Sequence, residues 1–565
     1  MARHPLDPLT ADEIRAAAGV LRRERGIDER WRFGAIDLRE PSKAQLAGWE
    51  RGEPVAREAE LTVWSLEDGI VREALVDVGA QRLLSWHERP GVQAALSHDE
   101  WHECDRALRA NGDVIAALAR RGIEDLDLVL IDVWPFGRHL VPERLQGRRL
   151  GWCDVWVRRA PDSNPYARYV GGLHPIVDLN TMELVELEES YVAGLPDVMG
   201  EYAPKHVPGI AVRDDVRALE IVQPDGPSFT LDGHELRWQR WRMRVGFTFR
   251  EGLVLHAVGY EDGGRVRPIA HRMSFAEMVI PYRDPSPDHV RRTAFDIGEI
   301  GLGASTVSLE LGCDCLGEIR YLDAVVNDTR GEPQTIKNAV CIHEEDNAVL
   351  WKHVDPVAGA EVRRMRRLVV SFHATVANYE YLVYWRFYQD GNIECEVRAT
   401  GIMVTSPELG DGSPNGTVVD AGVYAPFHQH IIVARLDMDV DGERNTVCET
   451  HTEAPPTGPE NPHGLALVQV STPLRSELEG RQDYDWASQR AWKVVNPSSL
   501  NAHGAPVAYK LVPGACFPPL LDPRSPVALR AQAVQHQLWV TPLAADERWP
   551  CGRYPMQGVD DGLAA

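Results

Sequence analysis

The stretch LVVSFHATVANYEYLVYWRFYQDGNIECEVRATGIMV, residues 368–404, decides the fold. Three runs within it, LVVSFHATV, YLVYWRFY and IECEVRATGIMV, are short, rich in β-branched and aromatic residues, and without helical periodicity. Asp390-Gly391 between the last two is a strong hairpin signal. The same texture continues in both directions. RWQRWRMRVGFTF, LVLHAVGY and HIIVARLDMDV alternate in the same way and are set apart by turn residues. Many short strands with this spacing predict a large antiparallel β-sandwich over residues 206–565. Two long polar loops, TSPELGDGSPNG and TEAPPTGPENPHG, interrupt it; loops of that length in a compact domain are functional or reach a partner.

The first 205 residues read differently. Thr10-Ala11-Asp12-Glu13 is a capping box that opens a helix with Ile14, Ala17 and Leu21 on one face. LTVWSLEDGIVREALVDV follows as a hairpin around Asp68-Gly69. The pattern then repeats: Ser97-His98-Asp99-Glu100 caps a second helix bearing Trp101, Cys104 and Leu108, and strand-like runs LDLVLIDVW, GWCDVWVRR and HPIVDLNTMELVELEE come after it. The prediction is an α+β protein: two small α+β domains, 1–96 and 97–205, ahead of the sandwich.

Composition narrows the function classes. A net charge of -24 argues against a phosphate-binding surface and hence against nucleic-acid partners. The one basic cluster, Arg363-Arg364-Met365-Arg366-Arg367, reads as a solvated strand end. No run reaches the roughly 18 apolar residues of a membrane helix, and the N-terminus lacks a signal-peptide core, so the expected location is the cytoplasm. Nine cysteines in 565 residues do not make a disulfide scaffold.

Four constellations carry chemistry. His428-Gln429-His430 places two imidazoles on one side of an extended strand, a pair suited to copper or zinc, against the alternative of two surface histidines. Asp437-Met438-Asp439 further along suits a hard cation, or a solvated edge. Cys313, Cys315, Cys341 and His343 admit a zinc site, a cross-hairpin disulfide or plain buried thiols. Asp296, in the apolar, glycine-rich AFDIGEIGLG, is expected to have a raised pKa suited to a general base; the alternative is a turn aspartate.

Together these pieces resemble the copper amine oxidases, over nearly the whole chain. TVANYEY (375–381) is similar to that family's quinone-forming Asn-Tyr-Asp/Glu motif, and PFHQHI to its copper-ligand pair. IPYRDPSP, FDIGEIGLG, SLELGCDCLG and CIHEEDNAV resemble its other landmarks, in its order. The resemblance implies that Tyr379 is oxidised, with bound copper(II) and dioxygen, to topaquinone. Asn378 and Glu380 would help hold the ring, Tyr282 would hydrogen-bond one quinone oxygen, and His428 and His430 would bind copper. Asp296 would take the α-carbon proton of a primary amine, which leaves as an aldehyde with ammonia and hydrogen peroxide.

The resemblance also implies a Cys315–Cys341 disulfide and a second metal site, for calcium or manganese, through Asp437, Met438 and Asp439. It further implies a homodimer joined by hairpin arms, to which the two long loops are candidates to contribute. The family's third copper histidine has no counterpart here. The chain ends in DERWPCGRYPMQGVDDGLAA, which resembles the stretch preceding that histidine, so a C-terminal truncation is expected. The competing expectation is a non-catalytic dimeric scaffold. Ala294 and Ile300 lie beside the base; a small side chain there predicts a wider or differently gated channel, and the expected substrate is a primary monoamine.

Overall fold

The computed structural model describes residues 3–556, except 208, 210–212, 214, 411–413, 515 and 545–546, together with 562 and 563. Both expected capping boxes form. Thr10 Oγ1 accepts from the Glu13 backbone N–H at 3.1 Å, and Glu13 accepts from the Thr10 N–H at 2.8 Å. The helix Ala11–Arg25 that follows ends at Gly26, where φ is 67°. Its buried face packs on a meander of four strands, Trp31–Leu38, Glu58–Ser65, Val71–Asp77 and Arg82–Arg89. Glu58–Ser65 and Val71–Asp77 pair across the Asp68-Gly69 turn. In the second unit, Ser97 and Glu100 cap helix His98–Arg109, which lies against a sheet containing Val129–Pro135, Leu150–Val157, Leu173–Asp178 and Glu183–Glu189.

Beyond residue 228 the expected sandwich appears. One sheet runs through six consecutive strands from Phe229–Asp232 to Thr293–Phe295, and gains Ile431–Met438 along the long strand Arg265–Pro281. The other contains Arg320–Asn327, Pro333–Asp355, Gly359–Val376, Tyr379–Tyr388 and Ile393–Gly401 in order. The core lies between them. Phe275 meets Trp385 at 5.3 Å between ring centroids, and Trp241 meets Phe387 at 5.0 Å. Burying a large apolar side chain is worth about 1.5–3 kcal/mol. That is why alternation along residues 368–404 specifies which face turns inward.

The strands Pro333–Asp355 and Gly359–Val376 form a hairpin longer than the sandwich needs. Its base is buried through Val340, Ile342, Leu368 and Val370, whereas Trp351, Val354 and Val357 near its tip are exposed by 51, 60 and 96%. The basic cluster lies on this arm, where Arg364 and Arg367 pair with Asp346 and Glu345 across the ladder. The TSPELGDGSPNG loop falls partly outside the described residues.

Candidate active site

Tyr379 is the first residue of its strand, directly after a two-residue turn in which Ala377 adopts φ 51°. The turn is pinned on both sides. The Asn378 side-chain amide donates to the Ile402 carbonyl at 2.6 Å, and Thr375 Oγ1 donates to Glu380 Oε1 at 2.7 Å. Opposite Tyr379 stands Gly401, at φ 98°, where a Cβ would lie 2.6 Å from the Asn378 carbonyl oxygen. Only glycine permits that approach. Tyr379 and Tyr381, two apart on a strand, turn to the same face, with ring centroids 6.3 Å apart.

The two histidines come to this face from the extended segment between strands Val423–Pro426 and Ile431–Met438. Their ring centroids are 5.1 Å apart. His428 Nδ1–H donates to the Pro426 carbonyl at 3.1 Å, which leaves Nε2 as the lone-pair nitrogen, 2.8 Å from the Tyr379 hydroxyl. Tyr381 donates its hydroxyl proton to Asp296 Oδ2 at 2.7 Å, so the 3.2 Å contact between His430 Nδ1 and the Tyr381 hydroxyl oxygen is a donation from histidine. His430 Nε2 is then also a lone pair. Burial lowers both imidazole pKa values, that of His430 to about 4 with help from His428. Two neutral, half-buried imidazoles with matched tautomers are a donor set for copper. Nearby His289 is committed elsewhere, Nε2 to Ser406 at 3.0 Å and Nδ1 to Arg292 at 2.6 Å.

Asp296 opens a single wide turn, Asp296–Ile300, after strand Thr293–Phe295. Burial pushes its pKa up to about 7; the Tyr381 hydrogen bond opposes this, and Glu299 and Glu277 add to it. Tyr282 stacks on His428 at 4.6 Å and 15° between planes, and the Arg292 guanidinium lies 5.4 Å from its ring centre. Its buried hydroxyl makes no hydrogen bond of regular geometry among the described residues, but it faces Tyr379, and burial and that interaction raise its pKa. A buried donor facing Tyr379 without a well-formed bond fits a ring that carries additional oxygen.

A cavity of about 340 Å³ reaches Tyr379, Tyr381, Tyr282 and Asp296. Ala294 and Ile300 line it as expected. Its far wall comes from the second small unit, through Trp101, Asp132 and Trp134, with Trp101 Nε1 donating to Asp132 at 2.7 Å. Sequence reasoning missed this wall and the role of Tyr381. Trp101 read as part of a helix face and Trp134 as the end of a strand-like run, and only the same-face spacing of Tyr381 from Tyr379 signalled a shared site.

Residues 230–564 match the model of the copper amine oxidase enzyme domain, 99–203 that family's N3 domain, and 10–85 an AGAO-like N2 domain. The chain belongs to the copper amine oxidase family. It is 43% identical to a primary amine oxidase of Arthrobacter sp. (strain P1), over 99% of this chain and 86% of that protein. It is 39% identical to the histamine oxidase of Arthrobacter globiformis, over 98% and 81%. The crystal structure of a copper-containing benzylamine oxidase from Hansenula polymorpha superposes with a TM-score of 0.91 at 30% identity, covering 100% of this chain and 90% of that one. This copper amine oxidase therefore catalyses oxidative deamination of primary amines with copper and topaquinone as its cofactors. No described helix is long and apolar enough to cross a membrane.

Two expectations for the copper amine oxidase change. Asp437 and Asp439 do converge, but the Lys43 ammonium stands between them, 2.9 and 2.6 Å away, with all three side chains largely buried. The ammonium takes the position between the two carboxylates that a cation would occupy. Cys315 and Cys341 lie with Sγ atoms 2.8 Å apart and His343 Nδ1 3.3 Å from Cys341, whereas Cys313 is exposed and outside the cluster. The four-ligand zinc reading fails on geometry, because Cys313 does not join it.

Proposed function

We propose that Tyr379 is the tyrosine converted to topaquinone, with His428 and His430 as copper ligands and Asp296 as the catalytic base. The observation that carries this reading is the Tyr379 hydroxyl lying 2.8 Å from His428 Nε2, with the buried Tyr282 hydroxyl facing the same ring. When bound, the quinone supplies an electron sink that ordinary side chains lack. The chain's own residues do the rest. Tyr282 holds a ring oxygen by hydrogen bonding. Tyr381 orients the Asp296 carboxylate, so its second oxygen can take the α-carbon proton of an amine seated in the cavity. The cavity walls keep water from that transfer.

For substrate we infer a primary monoamine with an apolar or aromatic tail, since Leu96, Trp101, Trp134, Tyr166, Ile280 and Ile300 are among the side chains lining the cavity. The decisive experiment adds copper and air to the purified metal-free chain. A visible quinone band, reaction with phenylhydrazine and a mass change on the peptide holding Tyr379 are expected. A colourless product with unmodified Tyr379 would overturn the assignment.

We also propose domains at 1–96, 97–205 and 206–565, a cytoplasmic homodimer, and a Cys315–Cys341 disulfide. The exposed apolar tip of the long hairpin supports the dimer, and the thiol contact supports the disulfide. In place of calcium or manganese, we propose that Lys43 is the internal cation of Asp437 and Asp439. Terbium luminescence checks this: the native chain should show no saturable site there, and Lys43→Ala should gain one. Equal terbium binding by both proteins would contradict it.

A further inference from the structure

The turn carrying Asp296 rests on buried charges that the mechanism above does not use. Glu277 Oε1 accepts the Gly298 backbone N–H at 2.9 Å, and Glu299 Oε2 accepts the Phe295 N–H at 2.9 Å. These bonds hold the backbone on both sides of Asp296. Gly298 has no space for a side chain: a Cβ there would collide with Glu277 Oε2 and Pro555 Cγ. Each glutamate has its own arginine. Arg250 Nη2 lies 3.1 Å from Glu277 Oε2, and Arg530 grips Glu299. Both arginines are anchored from behind by main-chain oxygens, Arg250 by Gly552 and Arg553 at 3.1 and 2.9 Å and Arg530 by Pro555 at 3.1 Å.

The charge count singles out the base. Three carboxylates, Glu277, Asp296 and Glu299, face two guanidiniums, and each guanidinium touches a glutamate. Asp296 has no cation of its own among the described residues. Its polar neighbours are the Tyr381 hydroxyl, the Tyr282 hydroxyl and the two glutamates. Burial raises the pKa of both glutamates, that of Glu299 to about 7, and Arg250 and Arg530 oppose it. Direct guanidinium contact favours leaving the odd proton on Asp296.

We propose that Glu277 and Glu299, each locked by its arginine, are positioning residues for the base: they fix the turn that aims Asp296 into the cavity and place two negative charges beneath it. This rests on the reading of Asp296 as the base. Removing one of those charges makes the Asp296 proton easier to lose, so its titration moves to lower pH. In a partly screened interior, the loss of such a Coulombic neighbour corresponds to a shift on the order of one pH unit.

The test follows the protonated carboxyl stretch of Asp296 by infrared difference spectroscopy across pH in the metal-free chain, with Asp296→Asn assigning the band. Neither copper nor turnover is needed. Glu277→Gln and Glu299→Gln should each lower the midpoint by about one unit, and Glu299→Asp, which keeps the charge, should restore it. In reconstituted enzyme, the acid limb of kcat/KM should move with the infrared midpoint. Two separately folded glutamine variants of unchanged midpoint would overturn the proposal while leaving Asp296 as base. If the native protein shows no band that Asp296→Asn removes, the assignment of the base falls first, and the proposal with it. Should one glutamine variant not fold, the other carries the measurement.

Discussion

Tyr379→Phe is expected to abolish oxidation of primary amines. The substitution deletes one atom, the phenolic oxygen 2.8 Å from His428 Nε2, and leaves the ring. The backbone there is paired on both sides, Val376 with Tyr379 and Tyr379 with Gly401, so the strand and both histidines should stay in place. A phenylalanine ring offers no oxygen at which copper and dioxygen can begin its conversion. Enzymes accelerate their reactions by at least about 10⁶-fold, and a chain without its electron sink loses that acceleration altogether. Three readouts separate this from misfolding. Copper uptake and near-ultraviolet circular dichroism should match the native chain, while the visible band and phenylhydrazine reaction should be absent. Residual turnover above a metal-free control would show that another residue supplies the quinone.

Asp296→Asn should have the second largest effect, in the opposite pattern: the quinone forms and turnover fails. The asparagine amide retains a contact to Tyr381 but cannot accept a proton from carbon. General-base catalysis contributes about 10²–10⁴-fold, so kcat/KM should fall by that range while phenylhydrazine still labels the protein. As the proposed base, Asp296 acts when ionised, and burial pushes its pKa up to about 7. The kcat/KM profile should therefore rise with pH through about 7 and level off above it, and this limb should vanish from the residual activity of the variant.

Stability should move the other way. A carboxyl whose pKa is raised on folding disfavours the folded state once pH exceeds its unfolded value. A rise from 3.8 to about 7 corresponds to about 4 kcal/mol above neutrality. Asp296→Asn should thus melt at higher temperature than the native chain at about pH 8, with the difference shrinking as pH falls toward about 4. Equal melting at both pH values would mean that Asp296 is not a strained carboxylate.

What could be read from the residues was whatever chemistry announces locally. Alternation along 368–404 specified strands because each residue's face is set by its neighbours. His428 and His430 were visible because a spacing of two brings side chains together without knowledge of the tertiary fold. Asp296 stood out as a charge in an apolar run. The cavity wall formed by Trp101, Asp132 and Trp134 was not legible, since only packing of the second unit against the sandwich brings it to Tyr282. Lys43 was hidden for the same reason: it starts a short helix nearly 400 residues from the aspartates it neutralises. Its capping box, Ser42 with Gln45, could have been read from the sequence, but the destination of the lysine could not.

The ladder between Arg265–Pro281 and Ile431–Met438 has a consequence for the order of events in folding. It joins segments more than 150 residues apart in sequence, Val279 with Ile431 at one end and Ala270 with Met438 at the other. Tyr282 and the two histidines lie just beyond the Val279–Ile431 end, while Tyr379 and Tyr381 arrive on a strand of the opposite sheet. Closing so long a loop is slow compared with forming local hairpins. Tyr282 is therefore expected to reach its stack on His428 late, after the local hairpins have formed. On the proposed reading, the last part of the site to be assembled is the side chain that holds the ring, so conversion of Tyr379 would follow closure of the sandwich.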